Sequence, residues 1–479
     1  MSTTTQTASS VRVDFIELET PTETFDLTNV IVSFNMYESI YNECLRIELV
    51  INDSINLPYY APILGEESLN FTFSTQSVEG EDVEINPGYM YSVSIQDRHI
   101  TKDRQNIYVL HFVSQQGLAN LNSTVSRSWN DKTIGQMVTD IYDDYLDVDG
   151  SGNDLDIEPT KRIESVVIPN WKPFDAINWL SKRALNENDV PNYLFWETNG
   201  HTYFRTVDSL MQQKVVQKFV FNPISSDSTK LLAQKNGALE IDNLQILSQF
   251  NLADNIRDGF YASKMITHDI VRKKIVERTH DLNEIYDGRI NHTDRFMPIS
   301  RSETDYEIKE RHTFAPLEKN HINEGKSITS YYDSKIMVSP KHNRMYSQTP
   351  TEEYDNNVEE WKLQRNALMW SLNQIKVEIV TPGISFLKCG DKVDLTVPAP
   401  ERVGKTGDGK ITNKANLNDF YLSGDYIVTA INHDINFLGG TAGNKYSCII
   451  ELVKDALGSA PKKTTGQKPT TTRTGREGK

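Results

Sequence analysis

Residues Asp147–Glu158 have the spacing of a calcium-binding loop. The stretch reads DVDGSGNDLDIE, with Asp at its first and third positions, Ser at the fifth, Gly at the sixth and Glu at the twelfth. An EF-hand places oxygen ligands and its turn glycine in this pattern, after a helix. However, Asp154 stands where that loop packs an apolar residue, and Pro159 disfavours an exit helix. A calcium site and an acidic connector therefore both stay open.

A second stretch, Ala399–Thr406, resembles a phosphate-binding loop. It reads APERVGKT, with Ala in place of the first glycine of that motif. A working phosphate loop needs a helix directly after Gly-Lys-Thr, because the amides at the helix start bind the phosphate. Here the sequence continues GDGKITNKANLND, which is typical of a loop. We therefore predict no nucleotide site.

The remaining reactive residue types form no set with catalytic or metal-binding spacing. Cys44, Cys389 and Cys448 are scattered in apolar runs, as expected for buried free thiols made in a reducing cytoplasm. The ten histidines contain no HExxH motif, and His99 and His433, at matched places in two strands, are predicted to be structural.

Two acidic pairs could in principle serve a glycosidase, but on an acidic chain a solvated surface is the better interpretation. These pairs are Glu66-Glu67 and Glu359-Glu360. We predict no catalytic, cofactor-binding or metal-binding residues.

Charge and composition limit the classes of function. The 479 residues carry a formal net charge of −16, which repels phosphate backbones and argues against tight binding of DNA or RNA. The same charge would let DNA slide past without adhering. No run of about 18 apolar residues occurs, so no membrane span is predicted. The polar N-terminus lacks the apolar core of a secretory signal and is expected to be a flexible arm.

The periodicity of apolar residues predicts a mainly β chain with helical interruptions. Residues 11–115 alternate apolar and polar residues between turn signals, which favours short antiparallel strands. Lys132–Leu146, a segment starting at Pro173, and Glu360–Leu372 have helical spacing. The long charged segment Val276–Asn357 has little periodicity and is predicted to be an inserted subdomain.

The strand pattern occurs twice. Phe34–Asp53 aligns without a gap with Phe250–Asp269, which predicts two equivalent hairpins, and a Gly-acid strand, a His-bearing strand and a closing strand follow each. A rival match pairs Arg46–Ile51 (RIELVI) with Lys376–Thr381 (KVEIVT). The two alignments exclude each other, and the longer, gapless one is preferred.

The predicted fold class is α+β and mainly β. It has two homologous small antiparallel β-barrel domains, the second split by an insertion, together with outer α/β domains. The predicted divisions are a flexible arm (1–10), a first barrel (11–117), an outer α/β domain (118–240), a two-part second barrel (241–275 and 374–457), an inserted outer subdomain (276–373) and a polar tail (458–479).

Four short motifs occur in the order found in tail hub proteins of contractile phages. They are Tyr37–Ile40 (YESI), Gly65–Glu67 (GEE), Pro173–Leu180 (PFDAINWL) and Gly390–Val393 (GDKV). By order of elements over residues 11–457, the chain resembles the baseplate central hub proteins of T-even-like myophages, and the hub half of secretion-system hub–spike proteins.

The resemblance implies a non-enzymatic homotrimer. Its two barrels per chain would form a pseudo-sixfold ring between the hexameric tail tube, or a tube-initiator protein, and the trimeric central spike protein. The outer domains would contact baseplate wedge proteins, and genome DNA would pass without specific binding or any membrane insertion. The expected location is the virion tail baseplate, with assembly in the host cytoplasm.

One departure from the hub–spike fusions is that nothing like an OB-fold or β-helix follows the second barrel. The spike is therefore expected to be a separate protein. Two alternatives stay open: a tail-associated cell-wall hydrolase that uses paired carboxylates, and a calcium-dependent tail adhesin that uses Asp147–Glu158.

Overall fold

The computed structural model describes most of the strands and helices that the sequence predicts. The described residues are 11–21, 23–54, 56–60, 63–76, 82–101, 105–147, 154–221, 238–282, 291–294, 331–341, 358–398, 404–405, 411–412, 418–419, 421–437 and 444–456. Of these residues 53% are in strands and 19% in helices, which confirms the α+β, mainly β class.

The N-terminal part is a strand-rich repeat. Along β8 every second side chain is buried, because successive side chains in a strand point to opposite faces. The elements are β1 (Arg12–Glu19), β2 (Thr24–Asp26), β3 (Ile31–Ser39), β4 (Arg46–Asp53), α1 (Leu57–Tyr60), β5 (Ser68–Gln76), β6 (Asp82–Ile85), β7 (Met90–Ile100) and β8 (Asn106–Ser114). Strands β3, β4, β8, β7 and β5 are neighbours in that order.

A smaller α/β unit follows, with its own hydrophobic core. The side chains of Thr133 and Gln136 form a capping box at the start of α3, and Pro173 is in the first turn of α4, as the sequence predicts. The elements are α2 (Gln115–Asn122), β9 (Val125–Thr133), α3 (Ile134–Ile141), a π-helix (Tyr142–Leu146), β10 (Asp154–Ile157), β11 (Ile163–Trp171), α4 (Pro173–Ser181), β12 (Tyr193–Thr198), β13 (His201–Thr206) and α5 (Val207–Met211).

The C-terminal part contains a second strand-rich repeat and the segment that interrupts it. Its elements are β14 (Val215–Phe221), β15 (Ala238–Ile241), β16 (Asn243–Gln249), α6 (Leu252–Arg257), β17 (Ala262–Asp269), β18 (Lys274–Asp281), a 3-10 turn (Tyr332–Ser334), β19 (Ile336–Pro340), α7 (Val358–Ser371), β20 (Ile375–Pro382), β21 (Lys392–Thr396), β22 (Gly404–Lys405), β23 (Ile411–Thr412), β24 (Gly424–Phe437) and β25 (Asn444–Lys454). Strands β14 and β15 pair with each other, and β14 also pairs with β21 in the large sheet.

The duplication of strand order is present, but the preferred alignment is wrong. Strands β16, β20, β25, β24 and β21 are neighbours in the same order as β3, β4, β8, β7 and β5 of the first repeat. Strand β20 therefore corresponds to β4, which is the rival match of RIELVI with KVEIVT.

The predicted second hairpin, Phe250–Asp269, does not form. The side chain of Asn251 accepts a hydrogen bond from the Asp254 amide and caps α6, so the acidic turn begins a helix. Strand β17 then pairs with β18 and β19 in a separate three-stranded sheet. The domain boundaries, including those of the inserted subdomain, stay predictions.

The strands of the two repeats belong to one sheet of fifteen strands, and no closed barrel is found among the described residues. A continuous core of large apolar residues lies beneath this sheet and includes Phe34, Phe71 and Phe73, whose rings contact one another edge-on or tilted. Helix α7 covers one face of the small sheet, where Val358 and Leu363 pack on Met265.

Several predictions fall wholly or partly outside the described residues. These are the N-terminal arm 1–10, the C-terminal tail 458–479, most of the phosphate-loop stretch and the greater part of 276–357. They stay predictions.

Candidate functional site

Both repeats have a β-bulge at the equivalent place. The register of β7 on β8 shifts between Ser92 and Ser94, and that of β24 on β25 shifts between Val428 and Ala430. A bulge adds one residue to a strand and increases the local twist. The two repeats therefore match in strand order and in the position of this bend.

The repeats are joined by a seam, which we define as the antiparallel pairing of β3 with β24. It runs from Ser33 opposite Asn436 to Ser39 opposite Ala430. One further backbone hydrogen bond, from the Ile40 amide to the Thr429 carbonyl at 3.0 Å, extends it. The first strand of repeat one is thereby joined to the fourth strand, in spatial order, of repeat two.

Of the strands equivalent to the seam pair, β16 is an edge strand, and β7 is uncovered on one side over part of its length in the described structure. Strand β16 corresponds to β3 and pairs with β20 alone among the described residues. Strand β7 corresponds to β24, and beyond Tyr91 it pairs with β8 alone within that same part of the chain. Leu247 of β16 is 42% exposed and Ile95 of β7 is 39% exposed. Each edge thus presents backbone groups and apolar side chains that another strand could cover.

A buried polar cluster lies at the seam. Glu38 on β3 is 3% exposed and His433 on β24 is 2% exposed, with Glu38 Oε1 3.8 Å from His433 Nε2. The other ring nitrogen, Nδ1, is 2.7 Å from the Tyr446 hydroxyl, which donates to the Ile384 carbonyl at 3.0 Å. Gly383 is needed beside this ring, because a Cβ there would lie 1.8 Å from Tyr446 Cδ1.

Burial sets the protonation of this cluster. Desolvation raises the pKa of Glu38 to about 7, against the opposing effect of hydrogen bonds from the Asn199 and Cys389 amides. Desolvation also lowers the pKa of His433 to about 4, so the ring is neutral near pH 7. Glu38 Oε2 and His433 Nε2 are both buried without a hydrogen-bond partner among the described residues, so burial favours the neutral form of each group.

A cysteine, a histidine and a glutamate meet in this cluster, as in a catalytic triad, but the cysteine is not positioned to react. Cys448 Sγ lies 3.7 Å from His433 Nδ1, and Glu38 lies on the opposite side of the ring. A cysteine nucleophile must be a thiolate and must be accessible. Cys448 is fully buried, and desolvation raises its pKa to about 11. We interpret the cluster as a structural fastening between the repeats.

A second buried network holds the segment Asn291–Asp294 against repeat two. Asp455 accepts hydrogen bonds from the amide and hydroxyl of Thr293 at 3.0 and 2.9 Å, and lies 2.5 Å from His292 Nδ1. The His292 charge and these hydrogen bonds outweigh desolvation and lower the pKa of Asp455. Asp208 accepts from the Asn291 side chain at 2.8 Å. These contacts fix part of the interrupting segment to the repeat.

Lys454 belongs to the same network and has the lowered pKa of a reactive lysine. Burial reduces its pKa to about 8, against the pull of neighbouring carboxylates such as Asp294. Its Nζ donates to the Ser423 carbonyl at 2.8 Å and lies 4.6 Å from the Tyr426 ring centroid. Because Lys454 has no exposed surface, it offers no face to a substrate.

The described residues of the acidic pairs and of the calcium-like loop form hydrogen bonds within the fold. Glu67 accepts from the Gly65 amide, and Glu359 accepts from Thr267 and Lys341. Glu158, the last position of the calcium-like loop, accepts from the amide and hydroxyl of Thr206 at 2.7 Å. The middle of that loop, 148–153, lies outside the described residues, and no group of three possible metal ligands occurs among the described ones.

The two predicted structural histidines differ. His433 is buried in the seam as expected, whereas His99 is exposed near the end of β7 and has no equivalent role. The sequence analysis did not predict the uncovered edges of β16 and β7. The match of RIELVI with KVEIVT was the signal that could have found them, because it identifies β4 with β20 and hence β3 with β16.

An open groove of about 400 Å³ lies between β7, α2 and the π-helix. Its lining residues are Tyr91, Gln115, Leu118, Ala119, Asn122, Ser123, Asp144 and Tyr145. A glycosidase needs two carboxyl groups across the scissile bond. This groove contains one carboxylate and therefore does not provide that pair.

No helix within the described part of the chain has the length and apolar character to cross a membrane. The described residues therefore form a duplicated β-strand repeat. A buried seam joins the two repeats, and the strand edges equivalent to that seam are uncovered.

Comparison with solved structures finds a similar fold in a tail protein. The tail protein from Neisseria meningitidis MC58 is similar with a TM-score of 0.51 and 9% sequence identity, over 92% of this chain and 96% of that one. At this identity, the similarity shows a shared fold and nothing more. No family model and no curated protein matches the sequence.

Two further solved structures resemble the chain more weakly. The 43 kDa tail protein of prophage MuSo2 from Shewanella oneidensis gives a TM-score of 0.46 at 11% identity, over 92% of this chain and 98% of that one. A type VI secretion component of E. coli, itself described as similar to T4 bacteriophage tail proteins, gives 0.40 at 8% identity, over 94% and 79%.

Proposed function

We propose that this chain is the structural baseplate hub of a contractile phage tail. In this proposal three chains form a ring that adapts a hexameric tail tube to a trimeric central spike, contacts the surrounding wedge proteins and lets DNA pass. The fold shared with the Neisseria tail protein supports a tail role. The chain acts by assembly and not by catalysis.

The seam is the observation that carries the proposal. Inside one chain, β3 and β24 join the two repeats by antiparallel pairing. In the described structure the equivalent strand β16 is an edge, and β7 lacks a second partner strand beyond Tyr91. If β16 of one chain pairs with β7 of the next, as β3 pairs with β24, the same contact is repeated between chains.

Repetition of that contact would close a ring. Two repeats per chain in three chains give six near-equivalent positions around one axis, which suits a sixfold tube on one face and a threefold spike on the other. The open sheet of a single chain would then become one section of a continuous barrel, and the unpaired edges would disappear. The two predicted barrels would exist as paired sections of this ring.

The experiment is a measurement of mass in solution with variants at both edges. We expect sedimentation velocity and light scattering to give three times the 54.6 kDa of one chain. Leu247→Lys on β16 and Ile95→Lys on β7 should each yield monomers, because a charge facing a neighbouring strand blocks edge pairing.

Val167→Lys, on an outer strand with a 57% exposed side chain, is the matched control and should leave the trimer unchanged. A monomer at high concentration, or a trimer that neither edge variant disturbs, contradicts the proposal. Electron microscopy of the particle should show a ring with sixfold-like appearance.

A further inference from the structure

The equivalence of the two repeats extends from whole strands to single residues. RIELVI of β4 matches KVEIVT of β20, so Leu49 corresponds to Ile379. Phe34 of β3 lies opposite Leu49. Leu244 of β16 lies opposite Ile379. Leu244 therefore corresponds to Phe34, and the other residues of β16 are assigned to residues of β3 in the same way.

The same comparison relates β7 to β24. Strand β8 pairs with β4 as β25 pairs with β20, so Leu110 corresponds to Ile450. Ile95 of β7 lies opposite Leu110. Ile431 of β24 lies opposite Ile450. Ile95 therefore corresponds to Ile431, which pairs with Glu38 in the seam.

Strand β7 is uncovered over the stretch that corresponds to the seam. Strand β24 pairs with β21 up to Ile427 and with β3 from Ala430 onward. Strand β7 pairs with β5 up to Tyr91, the counterpart of Ile427, and beyond it no strand of the described residues pairs on that side. Ile100, near the end of this stretch, is 70% exposed.

Each uncovered edge contains one residue more than its counterpart in the seam. Leu247 is the additional residue of β16, at the bulge between Ile246 and Ser248. Strand β7 has its additional residue at the bulge between Gln96 and His99. When β16 is placed on β7 as β3 lies on β24, the two bulges fall opposite each other. The two additions then compensate, so the register is the same on both sides of them.

Strand β16 also lacks the charges that protect an exposed edge strand. Its sequence, NLQILSQ, contains no Lys, Arg, Asp or Glu, although 24% of the chain is charged. Ile246 and Leu247 are 46% and 42% exposed. Edge strands of soluble proteins commonly carry charged residues or proline that prevent pairing with another chain. An uncharged and partly apolar edge instead favours such pairing.

We propose that β16 of one copy of the chain pairs antiparallel with β7 of a second copy, in the register that the seam sets. This inference rests on the proposed ring and specifies which residues meet in it. A second copy is favoured over a different protein, because the chain itself provides both strands and their bulges match. The pairs outside the bulges are Leu244–Ile100, Gln245–His99, Ser248–Gln96 and Gln249–Ile95.

Disulfide trapping in the full chain tests this register. One double variant combines Ser248→Cys with Gln96→Cys, and the other combines Gln245→Cys with His99→Cys. The two pairs are three positions apart, so one of them lies at a non-hydrogen-bonded place, where opposed side chains are closer. After oxidation with copper phenanthroline, we expect covalent trimers of three times 54.6 kDa on a non-reducing gel.

Slipped registers provide the matched controls. Ser248→Cys with Ser94→Cys, and Ser248→Cys with Arg98→Cys, shift the pairing by two residues in either direction. Such diagonal neighbours are about 7–8 Å apart, whereas the Cβ atoms of a disulfide are about 3.5–4.5 Å apart. The slipped pairs should therefore link about tenfold less or weaker. The parent chain, whose three cysteines are not exposed, should not link.

The mass measured before oxidation separates this inference from the proposed function. A trimer that links only through the predicted pairs supports the register. A trimer in which a slipped pair links as well as the predicted pairs, or in which no pair links, overturns the register and leaves the ring standing. A monomer that does not link overturns both. Melting temperatures of the variants verify that each is folded.

Discussion

Replacement of Glu38 by glutamine tests whether the seam contains a neutral carboxylic acid. Glu38 lies on β3 beside His433 of β24, with its pKa raised from 4.5 to about 7 by burial. A group whose pKa is higher in the fold than in the unfolded chain stabilises the fold fully below the unfolded pKa. That contribution is lost as the pH rises through the folded pKa.

The magnitude follows from the two pKa values. The rise from 4.5 to about 7 corresponds to about 3 kcal/mol, at about 1.4 kcal/mol per pH unit. The wild-type seam should lose this amount between about pH 4.5 and pH 7 and stay weakened above. Glutamine is neutral at every pH and can accept from the Asn199 amide as Glu38 does. Glu38→Gln should therefore match wild type near pH 4, below the unfolded pKa, and exceed it by up to about 3 kcal/mol near pH 8.

Hydrogen exchange of the seam amides is a suitable assay, because it reports local opening in a chain of several parts. Peptides that cover 430–436 should exchange up to about a hundredfold more slowly in Glu38→Gln than in wild type near pH 8. Near pH 4 the two should exchange at the same rate. Glu66→Gln, at an exposed carboxylate, is the control and should leave both rates unchanged.

Equal or faster exchange of Glu38→Gln near pH 8 would refute the reasoning. It would mean that Glu38 is ionised in the folded protein and held by the Asn199 and Cys389 amides, which oppose the burial effect.

Two further predictions concern packing and buried charge. Gly383→Ala should lower the melting temperature through about 1–3 kcal/mol of overpacking, because the new methyl group would collide with the Tyr446 ring; Gly135→Ala, with its nearest neighbour at 3.4 Å, is the control and should have a smaller effect. Arg365→Met should cost about 2–4 kcal/mol, since the Arg365 guanidinium donates to the carbonyls of Ser181, Pro191 and Tyr193 and ties α7 to the outer unit. Arg162→Met, which breaks a partly exposed ion pair with Glu360, should change the melting temperature little, and an equal loss in both variants would contradict the assigned role of Arg365.

Local signals predicted the elements well, because the physics that forms them is local. The helices at Pro173 and Glu360 and the strands of repeat one occur where periodicity and turn residues indicate them. His433 was predicted to be structural. Its partners were not predicted, because Glu38 comes from the other repeat, 395 positions away along the chain, and no spacing rule connects the two.

The misplaced hairpin has a physical cause. Phe34–Asp53 and Phe250–Asp269 share residue types, but pairing depends on which strand is close enough to complete a ladder of backbone hydrogen bonds. Strand β18 follows β17 after a short turn, whereas α6 separates β17 from β16. The nearer partner is favoured, since closing a shorter loop costs less entropy. The shorter match, RIELVI with KVEIVT, identifies β4 and β20. These two strands share the same alternation of apolar and polar residues and occupy equivalent places in the two repeats.

The interrupting segment enters repeat two at a place where it does not break the pairing of the strands. It enters between β16 and β20, where the first repeat has the tight turn between β3 and β4. Strand β20 still pairs with β16 and β25, so the ladder of repeat two is preserved despite more than a hundred inserted positions. An insertion at a turn leaves the edge of β16 uncovered, whereas an insertion inside a strand would break the ladder. The chain therefore carries the additional three-stranded sheet while it retains the edge that the proposed ring requires.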